Sequence, residues 1–251
     1  MKETSVNNDL VAAIGTLKAE HPYWGYRKVW AYLKYRRGLP VNRKRIYRLM
    51  GEQGFLVKQN QKLSATRTLP KSKPRADKPN HIWGIDMTKV ITACGWIYLV
   101  VVLDWYTKKI VGWNVAANAR TAQWLEALNM AANRQYPDGI KDAESRPKLV
   151  SDNGSQPTSE AFMKECAELK IEQIFTSYNN PKGNADTERV IRTIKEDLVW
   201  PNEWNNYYEF LDALEEWCFK YNTDFPHSAL KYKTPYQFEQ IWSQNYLKLT
   251  A

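Results

Sequence analysis

Residues 82–115, IWGIDMTKVITACGWIYLVVVLDWYTKKIVGWNV, contain three successive β-strand patterns. Apolar, β-branched and aromatic side chains dominate 82–90, 97–103 and 110–115, as is typical of strands. The turn after 103 is short, so the second and third strands should be antiparallel neighbours. This stretch therefore predicts the beginning of a β-sheet, and the rest of the chain decides which class of sheet it is.

After residue 115 the sequence alternates between helical and strand patterns. We predict, in order, a helix at 121–134, a strand at 148–150, a helix at 159–169, a strand at 171–175, and helices at 184–199 and 206–221. Three strands followed by alternating helices and strands predict an α/β domain with a mixed five-stranded sheet and helices on both faces. The chain has no GxGxxG or GK(S/T) motif, which argues against a nucleotide-binding Rossmann or P-loop domain.

The first part of the chain is helical and basic. Apolar residues recur at helical spacing in 8–19, 26–35 and 43–53, with Asn7 or Asn8 as the predicted cap of the first helix. Asn42 is the predicted cap of the third helix, whose outer surface carries Arg43, Lys44, Arg45 and Arg48. The pattern predicts a helix-turn-helix-like DNA-binding module over 1–57. Whether these cations bind phosphates or read bases stays open, and a generic helical cap with a solvated basic face is the alternative.

The charge is unevenly distributed along the 251 residues. Residues 1–78 hold 18 Lys and Arg against 5 Asp and Glu, a net +13, and the remaining residues have a net charge of −4. The stretch 58–79 is rich in basic residues and proline and poor in large apolar side chains, so we predict a linker there. The body of the protein is then expected to span 80–245. The N-terminal part, which we call the front, is basic and the body is mildly acidic. This distribution suggests that the front binds a polyanion.

The composition also predicts a cellular compartment. The three cysteines are far apart and form no zinc motif or disulfide framework, which fits a reducing cytoplasm. No apolar run has the ~18–20 residues that a membrane span needs, and the first residues lack the apolar segment of a signal peptide. We therefore expect no membrane association.

Four carboxylates lie at places where α/β domains carry functional groups. Asp86 lies within the first strand, Asp104 and Asp152 end later strands, and Glu188 lies near the start of a helix. Functional side chains cluster at strand ends, so Asp86 and Asp152 can meet if their strands are neighbours. We assign Asp104 to structure, as a side-chain cap of the following turn. A first-turn glutamate that only favours the helix dipole is the alternative for Glu188.

The helix 184–199 places basic side chains near Glu188. At about 100° per residue, Asn184 and Arg192 lie about 40° to either side of Glu188, and Lys195 lies about 20° away. This helix face combines an acid that could bind a metal with bases that could bind phosphate. We expect Arg192 and Lys195 to contact DNA phosphate, and Asn184 to contact DNA or to orient a ligand.

Three segments together resemble a known family. WGIDMTK at 83–89, LVSDNGSQ at 149–156 and NADTERVIRTIK at 184–195 resemble the catalytic core of bacterial insertion-sequence transposases. These enzymes share a ribonuclease-H-like fold and an Asp-Asp-Glu triad with retroviral integrases. The 35 residues between Asp152 and Glu188 match the spacing of this subgroup, and Lys195 matches its basic residue seven positions after the Glu.

Further segments extend the resemblance over about residues 10–240. LDWYTKKIVGW at 103–113 and the closing YN, PHSAL and KTP motifs between 221 and 235 match the family, as does HPYWGYRKVW at 21–30. The resemblance implies a helical DNA-binding segment ahead of the core. It also implies that this chain is the product of the downstream reading frame of its element, with an upstream-frame product as fusion or partner.

The resemblance implies a reaction as well as a fold. Asp86, Asp152 and Glu188 would hold two Mg²⁺ or Mn²⁺ ions, and the enzyme would cut and join DNA at element ends and target sites. The substrate would be double-stranded DNA, the assembly a homo-oligomer on that DNA, and the location the bacterial cytoplasm at the nucleoid. His227 is expected to be a packed histidine, not a catalytic one.

Two other functions remain compatible with the sequence. The first is a metal-dependent DNA nuclease on the same fold that cuts but does not join strands. The second is a DNA-binding regulator without catalysis, which would use only the helical front. The intact triad argues against the regulator.

Overall fold

A computed structural model of the protein describes residues 2–57, 74–176 and 183–250. The front consists of α1 (Lys2–Glu20), α2 (Tyr26–Tyr35) and α3 (Arg43–Glu52). Helix α1 begins at Lys2, so the predicted cap at Asn7 or Asn8 is wrong. The predicted cap of α3 is confirmed, because Asn42 accepts a hydrogen bond of 2.9 Å from the backbone N–H of Arg45.

The body contains the predicted mixed sheet of five strands. These are β1 (Ile82–Thr92), β2 (Gly95–Asp104), β3 (Ile110–Ala116), β4 (Lys148–Ser151) and β5 (Glu172–Phe175). Their order in the sheet is β3-β2-β1-β4-β5. The first three strands are antiparallel, and β4 joins the sheet in parallel pairings with β1 and β5.

Helices cover both faces of the sheet. They are α4 (Thr121–Gln135), α5 (Glu160–Glu168), α6 (Ala185–Ile194), α7 (Tyr207–Thr223) and α8 (Pro235–Thr250). Because side chains alternate along a strand, β2 contributes to two cores. Val100 and Val102 pack with the apolar side chains of α4 and α5, whereas Val101 and Leu103 pack with those of α6 and α7.

The helical front packs directly on the body. Its buried residues belong to the same apolar cluster as those of α6 and α7. The indole N–H of Trp24 donates to Asp197 at 3.1 Å, and Arg36 pairs with Asp224 at 3.3 Å. The two parts predicted from the sequence therefore share a core. The predicted boundaries at 57 and 80 remain predictions, since 58–73 lies outside the described residues.

Within the described ranges, no helix combines the length and apolar character required to cross a membrane.

Asp104 holds the turn between β2 and β3. Its buried carboxylate accepts backbone N–H bonds from Asn80 and Tyr106 at 2.7 Å each and from Thr107 at 3.3 Å. The structural assignment of Asp104 is thereby confirmed. Burial raises the pKa of Asp104 from 3.8 to about 6, although these three N–H groups favour the charged form.

We expect Asp104 to make the protein less stable as pH rises. The folded state binds the proton more tightly than the unfolded state, so the contribution of Asp104 is full below pH ~4 and is lost between ~4 and ~6. The free energy of unfolding of the wild type relative to Asp104→Asn should fall by up to about 3 kcal/mol across this window. Urea denaturation at a series of pH values measures this difference. A difference that rises with pH would contradict the assignment.

A glycine allows α6 to approach β1 closely. A Cβ atom at Gly84 would lie 2.0 Å from Oγ1 of Thr187, 2.3 Å from Nε1 of Trp105 and 2.9 Å from Oδ1 of Asn184. Thr187 and Asn184 belong to the start of α6, so any side chain at position 84 would displace that helix.

We predict that Gly84→Ala destabilises the fold by about 1–3 kcal/mol, because the added methyl group overpacks the contact with α6. Urea denaturation measures the loss. Gly15→Ala is the matched control: it lies in α1 with no atom within 4 Å of its added Cβ, so it should be neutral or stabilising. Equal effects of both substitutions would contradict the close packing at Gly84.

Candidate active site

Asp86 lies in β1, at the centre of the sheet. Its carboxylate is partly buried and accepts a bond of 2.8 Å from the backbone N–H of Met87. Burial raises the pKa of Asp86 to about 6, and the nearby charges of Asp152 and Glu188 add to this rise. The Met87 N–H and the Lys195 ammonium act in the opposite direction. Asp86 is therefore an acid for which negative charge is unfavourable unless a cation is close.

The parallel pairing of β1 and β4 places Asp152, which follows the last residue of β4, level with Asp86 in the middle of β1. Gly84 pairs with Val150, and each carboxylate follows its paired residue by two positions. Asp152 is exposed in the turn after β4, where its carboxylate accepts the N–H of Gly154 at 3.1 Å.

Glu188 lies in the first turn of α6, on its solvent side. The side of α6 that faces away from Glu188 buries Val190 and Ile194 in the core. The start of the helix is fixed by two hydrogen bonds. Trp105 donates to Oγ1 of Thr187 at 3.1 Å, and Asn184 donates to the carbonyl of Ile85 at 3.1 Å. Because Ile85 precedes Asp86, the second bond ties the helix of Glu188 to the strand of Asp86.

Asn184 is turned into the protein. It is 5% exposed, its amide nitrogen donates to the carbonyl of Ile85, and its buried Oδ1 has no hydrogen-bond partner among the residues that the structure describes. The sequence placed Asn184 on the Glu188 face as a DNA contact, but its burial assigns it to positioning α6. A helical projection could not show this, because Asn184 is the N-cap residue and has non-helical dihedral angles.

Asp86 and Glu188 line one open cleft of about 480 Å³ together with Arg192 and Lys195. Asp152 is not among its lining residues, although its charge acts on Asp86. Across residues 2–57, 74–176 and 183–250, no three Asp, Glu, His or Cys side chains are grouped tightly enough to enclose a metal ion. Asp86 and Glu188 thus share the cleft, and Asp152 lies outside its lining and acts on Asp86 through its charge.

The cations of α6 border the same cleft. Arg192 is exposed and pairs with Glu196 at 2.7 Å, and Lys195 is partly exposed with its charge acting on Asp86. A phosphate in the cleft would therefore meet positive charge beside the carboxylates.

The basic side chains of α3 lie largely on the protein surface. Arg43, Lys44 and Arg48 are exposed, while Arg45 is partly buried. The Arg43 guanidinium lies 5.5 Å from the ring centroid of Trp30, and Arg48 pairs with Glu52 at 3.6 Å. These positions leave the outer face of α3 positively charged.

His227 is a packed side chain, as expected. It is partly buried and packs against the rings of Tyr221 and Phe225, with centroid distances of 4.9 and 5.0 Å. Burial lowers the pKa of His227 to about 3, so it stays neutral at physiological pH.

One residue of the cleft was missed by the sequence reading. Trp200 lines the cleft beside Glu188, although an uninterrupted α-helix would place it about 120° away. The helix widens after Ile194 into a π-helical turn, Lys195–Val199, in which the N–H of Trp200 donates to the carbonyl of Lys195 at 2.8 Å. Aromatic content alone gave no signal for this, because the chain has 11 tryptophans.

Comparisons with known families agree with this architecture. Residues 6–62 match the HTH-like domain family, and residues 76–181 and 167–235 match two families described as integrase core domain. Together the two core matches span more than half of the chain.

Curated relatives are similar over most of their length. The transposase for insertion sequence element IS904 of Lactococcus lactis is 27% identical over 81% of this chain and 82% of its own length. The transposase for insertion sequence element IS629 of Shigella sonnei is 28% identical over 88% of this chain and 75% of its own length.

Solved structures share the fold. A chain of a simian T-cell lymphotropic virus intasome, solved with a PP2A regulatory subunit, superposes with a TM-score of 0.54 at 18% identity, over 83% of this chain and 73% of its own. The catalytic core domain of HTLV-2 integrase, solved with magnesium, gives 0.50 at 18% identity, over 66% of this chain and 99% of its own. At this identity the likeness concerns the fold alone. The fold, the two kinds of matched domain and the relatives agree, and the chain belongs to the bacterial insertion-sequence transposases with an integrase-type core.

Proposed function

We propose that this transposase cuts and joins DNA strands at the ends of an insertion-sequence element, with Asp86, Asp152 and Glu188 as its catalytic acids. The observation that supports the triad is their placement. Strand β1 and helix α6 bring Asp86 and Glu188 into one cleft with two cations, and Asp152, in the turn after the neighbouring strand β4, is close enough for its charge to act on Asp86. Such a combination suits a substrate that is a phosphodiester and a cofactor that is a cation.

The three side chains fit a divalent metal site in their chemistry. Hard cations such as Mg²⁺ and Mn²⁺ prefer oxygen ligands, and Asp86 is a partly buried acid whose charge needs compensation. Asp152 and Glu188 are exposed, so their side chains can turn toward Asp86 without displacing packed atoms. We infer that these three carboxylates hold two ions. When bound, the ions would supply the Lewis acid that activates an attacking oxygen and stabilises a leaving one.

The residues of α6 would act on the DNA itself. Lys195 and Arg192 neutralise the phosphate at the reacting bond and hold it against the carboxylates. In the first step water attacks a phosphodiester and frees a 3′-hydroxyl at the element end. In the second step that hydroxyl attacks another phosphodiester. One P–O bond forms as one breaks in each step, so no nucleotide hydrolysis is needed.

The helical front would hold the DNA near this cleft. Arg43, Lys44, Arg45 and Arg48 give α3 a cationic face that suits duplex phosphates. Joining two element ends requires two bound ends, so we infer a homo-oligomer on DNA. The upstream-frame product remains a proposed fusion or partner.

Asp152→Asn should reduce strand cleavage and strand transfer by at least about 10³-fold, because neutralising one acid removes several kcal/mol of metal-dependent stabilisation. The assay supplies a pre-cut element end and a plasmid target with Mg²⁺ and measures joined products. Binding of the same DNA should be largely retained. Cleavage without joining by the wild type would instead favour a nuclease.

Two controls separate metal binding from folding. Asp138→Asn removes an exposed carboxylate outside the cleft and should keep full activity. Millimolar Mg²⁺ should raise the thermal midpoint of the wild type and of Asp138→Asn, but not that of Asp152→Asn, because a ligand that binds only the folded state stabilises it. Full activity of Asp152→Asn would refute the triad.

Replacing Lys44 by Ala should weaken DNA binding similarly for all sequences and reduce the slope of log K against log salt by about 1, as expected when one phosphate contact is lost. Fluorescence anisotropy at several salt concentrations measures the slope. Lys164→Ala, in α5, is the matched control and should leave the slope unchanged. An unchanged slope for Lys44→Ala would remove that side chain from the DNA interface.

A further inference from the structure

Trp200 exposes a large apolar ring inside a charged cleft. Its side chain is 54% exposed, and it lines the cavity that contains Asp86, Glu188 and Lys195. Burying a tryptophan is favourable, so an indole left in solvent beside carboxylates contributes little to the stability of this fold. The surroundings instead suit a ligand that combines a flat apolar surface with phosphate.

The π-helical turn is what brings Trp200 to the cleft. In a regular α-helix Trp200 would lie about 120° from Glu188, and one additional residue in a turn shifts this by about 100° to roughly 20°. The widened turn therefore aligns Trp200 with Glu188 and Lys195 on one face. Such turns frequently occur at functional sites.

Contacts from both parts of the protein hold this turn in place. Leu198 and Val199 are buried, and Asn202 donates to the carbonyl of Leu198 at 2.7 Å. On the other side of the turn, Asp197 is buried and accepts the indole N–H of Trp24. The backbone beneath Trp200 is thus fixed before any ligand binds.

The helical front also touches the ring of Trp200. Tyr23 is 41% exposed and packs edge-on against Trp200, with ring centroids 5.9 Å apart. This contact supports one edge of the indole, and 54% of the side chain remains exposed to solvent. Two exposed aromatic rings therefore form a ridge between the cleft and the helical front.

We propose that Trp200 is a stacking platform for an unpaired DNA base next to the reacting phosphodiester. This inference rests on the proposed function, because the base belongs to the strand whose phosphate lies between Arg192, Lys195 and the carboxylates. Aromatic rings bind bases by stacking without reading their identity, and adjacent cations bind the backbone. Trp200 thereby positions the strand and keeps the base beside the cut from pairing again.

The test uses the full chain and two DNA probes of the same arbitrary sequence. One is a blunt duplex, and the other has a short 3′ overhang with 2-aminopurine as its first unpaired base. Binding of the wild type should quench the 2-aminopurine, since stacking on indole reduces its fluorescence. Trp200→Ala should abolish the quenching and weaken overhang binding about 5- to 150-fold, the range expected for losing one stacked base. Blunt-duplex binding should change less than about twofold.

Two variants serve as controls. Trp200→Phe keeps an aromatic ring and should retain most of the overhang preference. Trp96→Ala removes an equally exposed tryptophan (50%) from the β1–β2 hairpin and should behave as the wild type.

Three outcomes would overturn the platform. They are unchanged quenching in Trp200→Ala, equal losses on blunt and overhang DNA, or a change of oligomeric state with overhang binding intact. All three leave the proposed function standing, since the wild type still binds DNA. If the wild type binds neither probe, the proposed function and the platform fall together.

Discussion

Parallel pairing of β1 with β4 is the constraint on which the site depends. Gly84 and Val150 lie opposite each other in this pairing, so Asp86 within β1 and Asp152 just after β4 lie at the same level of the sheet. Asp86 and Asp152 are 66 positions apart in sequence but are brought together by this single register. A shift by one residue would turn Asp86 to the other face of the sheet. The close packing of α6 on Gly84 then places Glu188 in the same cleft as Asp86.

The electrostatics of the cleft follow from this convergence. Burial makes the charge on Asp86 unfavourable, and the charges of Asp152 and Glu188 make it still less favourable. Nearby cations compensate little of this charge. Arg192 pairs with Glu196, and among the described cations Lys195 is the one that favours the charged form of Asp86. An arrangement of this kind is expected where function, and not stability, determines the residues.

The sequence predicted the parts of this site that depend on local patterns. Strand periodicity located β1 to β5 to within a few residues, and the positions of Asp86 within β1 and of Asp152 after β4 followed from it. The cap at Asn42 could also be predicted from the sequence, because capping needs only a suitable polar residue before a helical pattern. Contacts between residues that are distant in the sequence could not be predicted from local patterns. The burial of Asn184 depends on a carbonyl in β1, and the packing of the front on α7 depends on contacts across about 190 positions, such as Arg36 with Asp224.

The π-helical turn shows why one extra residue matters for the whole protein. A helical projection assumes constant rotation per residue, so it fails at the point where the rotation changes, and the sequence therefore gave no indication that Trp200 lines the cleft. The turn also carries Asp197, which the helical front holds through Trp24, while Tyr23 of the same loop contacts Trp200. The position of the front and the position of the Trp200 ring are therefore set by one short segment. Since Lys195 begins that segment and Glu188 lies two turns before it, the helical front and the cleft of Asp86 and Glu188 are joined through a single continuous helix.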